Sequence, residues 1–159
     1  MSSLSNEWTL YEHPPSTKSW ALESYRKIGT FKTVEEISSM IRTITIDSDL
    51  VSGAYLCLMK QDIPPVYEAE QNKNGGALTI RIPTDNANHT WSTFVSHTVC
   101  DELLHEQNDK VAGLIISPKR GNIVIQVWTT DKIETDLVNP VLTNMISSDI
   151  MYRSHFERI

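Results

Sequence analysis

The chain has 159 residues, of which 40% are hydrophobic and 21% charged, so it can bury the core of one domain. Its net charge of −6 argues against a general nucleic-acid binder, because such proteins carry a basic stripe that neutralises many phosphates. No apolar run approaches the roughly 20 residues that cross a bilayer, and residues 1–6 lack the basic and apolar parts of a signal peptide. We therefore expect a single domain over residues 1–159, with a short N-terminal tail over about residues 1–5, in a cytoplasmic and monomeric protein that has no membrane partner.

Short strand-like runs alternate with three helical stretches along the chain. The predicted elements, in chain order, are strands Glu7–Glu12 and Glu23–Gly29, a helix over 33–43, strands Val51–Lys60 and Ala77–Ile82, a helix over 88–105, a hairpin of Lys110–Ser117 and Ile123–Thr130, a helical stretch over 131–147 and a strand near Ile150–Ser154. This order predicts an α+β fold in which the helices pack on one face of an antiparallel sheet.

Local signals support the three helix predictions. Thr33-Val-Glu-Glu36 is typical of a capping box, in which the threonine hydroxyl accepts from the N–H of the fourth residue and the glutamate side chain reaches back. The second helix shows a mostly apolar stripe at helical spacing from Trp91 to Leu103. In the third stretch, Pro140 either starts a new helix after an Asn139 cap or kinks an existing helix.

The sequence indicates no metal or cofactor site. The five histidines are scattered, and Cys57 and Cys100 lie far apart without a Cys-x-x-Cys pair. We therefore predict no cofactor, and we expect both cysteines to be small buried hydrophobic residues.

Five segments, found in one order along the chain, give it a resemblance to a known family. They are Glu7-Trp-Thr-Leu-Tyr11, Lys18-Ser-Trp20, Phe31-Lys-Thr-Val-Glu-Glu36, the segment from Ile63 to Gly76, and Val127-Trp-Thr-Thr130. Together they resemble the landmark segments of the translation initiation factor 4E family, over roughly Asn6 to His155. The resemblance implies a curved antiparallel β-sheet with three helices on its convex face. It also implies a site in the concave mouth that binds the 7-methylguanosine 5′ cap of messenger RNA.

The residues that the resemblance assigns to the cap fit the chemistry of that ligand. Methylation at N7 makes guanine a flat cation, which two aromatic faces bind by stacking and cation–π attraction. By resemblance, Trp20 and Tyr67 supply the two faces, and Tyr67 stands where the family usually has tryptophan. Glu68 is placed to accept from N1–H and the N2 amino group of guanine, a charge-assisted pair that selects this base. Trp128 resembles the tryptophan that packs against the N7-methyl group.

The phosphates of a cap need cations, and the resemblance places Lys119 and Arg120 in the basic turn that binds them. The family often has arginine directly after the Gly-Gly pair, where this chain has Ala77. Arg81 lies on the same strand face, but about 13 Å further along at roughly 3.3 Å per residue. We therefore expect a weaker hold on the phosphates than the family pattern implies.

The family also binds partner proteins on the convex face, through a helix that carries a Tyr-x-x-x-x-Leu motif. Val34 and Glu35 match the family positions on the first helix, but Ser38 stands where a tryptophan is expected. Ser92 and Ser96 fall on second-helix positions that are usually leucine. The sequence thus predicts that a scaffold or repressor protein docks there weakly or by an altered motif, since interface hot spots are typically large aromatic or arginine side chains.

Several functional interpretations follow from these residues. The first is a non-enzymatic, cap-binding protein of translation initiation, and its alternative is a repressor that occupies caps without recruiting the usual scaffold. From a different class, Glu68 and Glu70 beside aromatic residues would suit a nucleotide-acting enzyme, although the sequence has no Gly-rich phosphate loop and no Ser–His or Cys–His signature. The last is an interaction domain that has lost cap binding, given Tyr67 and Ala77.

Overall fold

The structure, a computed structural model, describes residues 2–14, 16–44, 54–83, 87–119, 122–144, 146 and 150–158, without the side chains of residues 118, 119, 157 and 158. In this part of the chain, seven strands form one antiparallel sheet. The strands are β1 (Ser3–His13), β2 (Arg26–Thr33), β3 (Tyr55–Lys60), β4 (Gly76–Pro83), β5 (Val111–Lys119), β6 (Asn122–Thr129) and β7 (Met151–Ser154). Their order across the sheet is β2-β1-β3-β5-β6-β4-β7, so β2 and β7 are its edges.

Three α-helices lie within the described residues: α1 (Val34–Thr43), α2 (Ala87–Val99) and α3 (Pro140–Thr143). The predicted capping box starts α1, since the Thr33 hydroxyl accepts from the Glu36 N–H at 3.2 Å. The Glu36 carboxylate reaches back to the N–H of Lys32 at 3.1 Å. At α3, the Asn139 side chain accepts from the Val141 N–H at 3.0 Å, and proline at the first helical position begins the helix rather than kinking one.

The main core lies between the sheet and the helices. It includes Trp8 and Leu10 of β1, Leu58 of β3, Leu78 and Ile80 of β4, Ile125 and Val127 of β6, Ile37 and Met40 of α1, Trp91, Phe94 and Val95 of α2, and Leu142 of α3. Burying one such large apolar side chain contributes roughly 1.5–3 kcal/mol. The predicted fold class is confirmed, because this core joins a curved antiparallel sheet to three helices on its convex face.

A second, smaller cluster lies on the concave face of the same strands. It consists of Cys57, Met59, Ala77, Ala112, Ile115 and Trp128. These residues alternate with those of the main core, as the period of two along a strand requires. Cys57 is buried in this cluster as expected, but Cys100 is exposed, so the prediction that both cysteines are buried was wrong for Cys100.

The N-terminal elements extend beyond their predicted bounds. Ser3–Ser5, expected in a tail, belong to β1, where Ser3 pairs with Thr33 of β2. The predicted strand Glu23–Gly29 is displaced: Leu22–Ser24 form a 3₁₀ turn, and β2 begins at Arg26 and runs directly into α1. Pairing with β1 decides these bounds, and local sequence pattern does not carry that information.

Two predicted helices are shorter than expected. The second ends at Val99 rather than near 105, because Asp101 takes a left-handed φ of 59°. The helical prediction over 131–147 was wrong for most of its length: in the described part of this stretch, Thr135–Leu137 form a 3₁₀ turn, Val138 pairs with Leu104 in an isolated bridge, and the α-helix is limited to α3. Residues 51–53 of a predicted strand, and 145 and 147 of this stretch, lie outside the described residues. No helix in the described ranges is long and apolar enough to cross a membrane.

Candidate functional site

A cavity of about 290 Å³ opens on the concave face of the sheet. Trp20, Tyr67, Glu68 and Trp128, which are far apart in the sequence, all line it. Its floor includes Ile115 and other residues of the second cluster, so the lower part is apolar. The fold therefore brings four of the predicted site residues to one place.

Trp20 lies in the loop after β1, and one face of its ring is already occupied. The imidazole of His13 stacks on it at 3.7 Å between ring centroids, with 5° between the planes. His13 is buried, and its Nε2 lies 2.7 Å from the carbonyl oxygen of Ser19, which holds the imidazole in place. Trp20 is nevertheless 47% exposed, so its remaining surface is available to a ligand in the cavity.

Tyr67 and Glu68 lie in the loop between β3 and β4, and one buried side chain organises that loop. The amide nitrogen of Asn72 donates to the carbonyl oxygens of Pro64 and Val66, each at 2.9 Å. Because Asn72 is fully buried, these bonds fix the backbone immediately before Tyr67. Tyr67 is half-buried against the second cluster, and Glu68 is exposed at the cavity rim.

The glycine pair at the end of this loop allows a close approach of two strands. A Cβ atom added to Gly75 would collide with the carbonyl oxygen of Thr129, and one added to Gly76 would lie 2.6 Å from the hydroxyl of Tyr152. Only glycine fits such a contact without displacement of the backbone. The pair thus brings the loop with Tyr67 against β6, which carries Trp128.

Trp128 forms a wall of the cavity and is 5% exposed. Its Nε1 donates to the Gln126 side chain at 3.1 Å, which fixes the orientation of the ring. The buried imidazole of His155 lies edge-on to Trp128 at 4.6 Å and roughly parallel to Tyr67 at 6.1 Å. His155 therefore lies beside both of these cavity-lining aromatic rings.

Sequence reasoning missed Tyr25 and Tyr55, which also line the cavity. Their rings lie edge-on to Trp20, with centroids at 6.3 and 4.9 Å respectively. Burial raises the pKa of the Tyr25 hydroxyl well above its usual value, and Cys57 and Glu68 nearby raise it further, so this group stays neutral and can donate. One signal was available for Tyr55: it lies two positions before Cys57 in β3, and residues two apart in a strand point to the same face, here the concave one.

The structure describes the predicted phosphate-binding residues only in part. Lys119 is the last residue of β5, paired with Asn122, while its side chain and all of Arg120 lie outside what the structure describes. Ala77 pairs with Trp128 and is fully buried. Arg81 is exposed on the same face, four positions further along β4 and about 13 Å away at roughly 3.3 Å per residue.

On the convex side, the first-helix positions predicted to bind a partner are accessible. Val34 is 40% exposed and Ser38 is half-buried. The carboxylate of Glu35 accepts from the backbone N–H of Ser2 at 2.9 Å, and this hydrogen bond holds the pKa of the carboxyl below its usual value. Glu35 is thus already engaged with the N-terminal segment.

The second-helix positions present hydroxyl groups that bond within their own helix. Ser92 donates to the carbonyl oxygen of His89 at 3.0 Å, and Ser96 donates to that of Ser92 at 2.8 Å. Ser96 is exposed and Ser92 half-buried. This face therefore offers small, internally satisfied polar groups instead of large apolar anchors.

Among the described residues, the cavity combines aromatic rings with one carboxylate, that of Glu68, which suits a flat ligand with hydrogen-bond donors on one edge and positive charge. No group of three or more histidine, cysteine, aspartate or glutamate side chains in the described ranges is arranged to hold a metal ion. Fold and site together define an α+β protein with an aromatic-lined cavity on the concave face of a curved antiparallel sheet. The sequence model described as eukaryotic initiation factor 4E matches residues 3–158, and this chain belongs to that family.

Individual relatives are moderately similar in sequence. The chain is 29% identical to eukaryotic translation initiation factor 4E of Xenopus laevis over 142 residues, covering 87% of this chain and 66% of the relative. It is 28% identical to the Homo sapiens protein of that name, covering 80% and 60%, and 31% identical to factor 4E-1 of Glycine max, covering 79% and 54%. The chain thus spans less than two thirds of the length of these curated relatives.

Solved structures with the same fold cover nearly the whole chain. Initiation factor 4E-3 of Ascaris suum, in complex with the m7G cap, superposes with a TM-score of 0.82 at 19% identity, covering 97% of this chain and 91% of that chain. The C. elegans 4E-3 complex with the 4E-binding protein Mextli and a cap analog gives a TM-score of 0.85 at 22% identity, covering 99% and 94%. At these identities the likeness concerns the fold.

Proposed function

We propose that this chain binds the 7-methylguanosine 5′ cap of messenger RNA and acts in translation initiation as a non-enzymatic protein. The observation that carries the proposal is the meeting of Trp20, Tyr67, Glu68 and Trp128 at one cavity. Family membership and the cap complexes of structural neighbours support it.

The base is held between the rings of Trp20 and Tyr67 in this proposal. The positive charge of the methylated base attracts both ring faces, and stacking contributes roughly 1–3 kcal/mol per base. Trp20 is suited to this role because its partner His13 supports the ring from behind while almost half of its surface stays exposed. Tyr67 offers a smaller ring than tryptophan, so its share of the stacking is smaller.

The edges of the base are read by Glu68 and Trp128. Glu68 is exposed at the rim, where its carboxylate can accept from N1–H and the N2 amino group of guanine. Trp128, opposite on β6, packs against the N7-methyl group. These contacts act at the two ends of the guanine ring system, so together they select guanine and its methylation.

The proposal is tested by titrating the full chain with 7-methylguanosine triphosphate and, as the matched control, with unmethylated guanosine triphosphate. We expect quenching of intrinsic tryptophan fluorescence and clearly tighter binding of the methylated ligand. Equal affinity for both ligands would refute the proposal. Recovery of the unchanged ligand after incubation separates a binding protein from a nucleotide-acting enzyme.

The basic turn yields a prediction about the phosphates. Replacing Lys119 and Arg120 together by alanine should weaken binding of the methylated triphosphate more than binding of the methylated nucleoside, because only the triphosphate presents negative charge. The difference should shrink as salt rises, since exposed charges are screened over about 10 Å at 0.1 M. Calorimetric titration of both ligands at two salt concentrations measures this difference in lost affinity. If the double variant loses affinity equally for both ligands, the turn does not bind phosphates.

The convex face supports a second candidate, a cap-binding repressor that does not recruit the usual scaffold. Ser38, Ser92 and Ser96 stand where large apolar anchors are expected, and the hydroxyls of Ser92 and Ser96 are bonded within their helix. Each missing anchor removes roughly 1.5–3 kcal/mol of possible burial. A partner with the usual motif would therefore bind weakly, or a partner with an altered motif would bind instead.

A peptide with the Tyr-x-x-x-x-Leu motif tests this expectation. We expect its dissociation constant for this chain to exceed about 1 µM, because the groove lacks the aromatic hot spot at Ser38. Fluorescence anisotropy of a labelled peptide measures it, with Val34→Asp as the variant that should remove any residual binding. Submicromolar binding that Val34→Asp abolishes would mean that the usual convex-face mode persists.

A further inference from the structure

The edge strand β7 carries a cation beside the wall of the cavity. Arg153 pairs with Ala77 of β4, and Ala77 pairs in turn with Trp128 of β6. Residues directly opposite each other in antiparallel strands point to the same face, with Cβ atoms about 4.5–5.5 Å apart. Arg153, Ala77 and Trp128 therefore form one row across the concave face, and Arg153 is its exposed outer member.

The neighbour of Arg153 gives the same orientation independently. Tyr152 packs against the main core, and its partner Leu78 in β4 is fully buried there. Because successive side chains of a strand point to opposite faces, Arg153 points to the concave side.

Position 77 provides no positive charge, so a cation for this part of the site must come from another position. Ala77 is fully buried within the second cluster. Arg81 is on the same face but about 13 Å along β4 from position 77, at roughly 3.3 Å per residue, whereas Arg153 is only one strand spacing away, about 4.8 Å. The register thus favours Arg153 over Arg81 as the nearer cation.

The geometry of guanine indicates where the phosphates pass. Glu68 takes the edge with N1 and N2, and N7 and the ribose-bearing N9 lie on the opposite, five-membered ring of the base. A base held by Glu68 therefore directs its methyl group and its ribose away from that carboxylate, towards Trp128. The phosphates that follow the ribose then leave past the row of Trp128, Ala77 and Arg153.

We propose that Arg153 binds the phosphates next to the methylated base, in place of the arginine that the family pattern has at position 77. This inference rests on the proposed cap-binding function, since the base in the cavity positions the phosphates. A guanidinium group suits the task, because it donates two parallel hydrogen bonds to phosphate oxygens and stays charged.

The test compares the parent chain with Arg153→Gln, which removes the charge and keeps a polar side chain. Binding of 7-methylguanosine triphosphate should fall by roughly five- to tenfold, the slope of log affinity against log salt should decrease by about one, and binding of the nucleoside should stay within about twofold. The matched control is Arg42→Gln, an exposed arginine on α1 at the convex face, which should change neither affinity.

The outcomes separate this inference from the proposed function. If the parent prefers the triphosphate and Arg153→Gln binds it equally tightly, Arg153 does not bind phosphate, and the cap-binding proposal still stands. If the parent binds neither nucleoside nor triphosphate, both proposals fail. The thermal unfolding midpoint is measured for every variant, and should Arg153→Gln lose the fold, Arg153→Met repeats the same comparison with a different neutral side chain.

Discussion

Replacing Trp20 by alanine is expected to weaken binding of a 7-methylguanosine cap analogue by at least about tenfold while the fold persists. The change removes one face of the stack, worth roughly 1–3 kcal/mol per base, and a desolvated cation–π contact worth roughly 2 kcal/mol. The fold should persist because Trp20 is 47% exposed and lies outside the main core. Calorimetric titration is the appropriate measurement, since the substitution also removes a fluorescent reporter from the site.

Leu22→Ala is the matched control for this prediction. Leu22 lies two positions further along the same segment and is 46% exposed, close to the exposure of Trp20, but it does not line the cavity. Its removal should leave cap affinity within about twofold, since it makes no contact with the base. Equal affinity of the Trp20 variant and the parent would mean that the base is not stacked on this ring.

Replacing Glu68 by glutamine should reduce the selectivity of the site for guanine. A neutral amide offers one acceptor instead of two and removes a negative charge beside a cationic base. Hydrogen bonds to charged groups contribute roughly 1.5–3 kcal/mol, so a loss of about tenfold or more is expected. The measurement compares 7-methylguanosine with 7-methylinosine, which lacks the N2 amino group. The parent should discriminate between them, and the variant should discriminate much less.

Glu70→Gln provides the control for charge alone. Glu70 is an exposed acid two positions away that pairs with Lys73 at 2.8 Å and does not line the cavity. We expect its substitution to preserve the preference for guanosine. The role assigned to Glu68 is wrong if both variants discriminate between 7-methylguanosine and 7-methylinosine as strongly as the parent chain does.

Elements set by local chemistry were predictable from the sequence. The capping box at Thr33 and Glu36 specifies the start of α1 through hydrogen bonds among neighbouring residues, and Asn139 with Pro140 does the same for α3. The hairpin of β5 and β6 was also predictable, because alternation on both sides of a turn is a local pattern. The resemblance supplied the site residues that meet at the cavity.

Features that depend on distant partners were not predictable in the same way. The apolar spacing of Val138 and Leu142 favoured one long helix, but Val138 is buried in an isolated bridge to Leu104, and Leu142 is buried in the short helix α3. The bounds of β2 and the place of Arg153 depend on strand register, which a single sequence does not give. The role of the convex face remains a prediction, because only a binding experiment can test it.

The stack of His13 on Trp20 also affects the entropy and the rate of ligand binding. Immobilising a side chain at an interface costs about 0.5–1.5 kcal/mol, and here the indole is already immobilised by the imidazole and by the link from that imidazole to Ser19. The entropy is lost when the chain folds, so an incoming base meets a preorganised surface. Association should therefore proceed without slow rearrangement of this wall, and differences in affinity among ligands should come mainly from how quickly they dissociate.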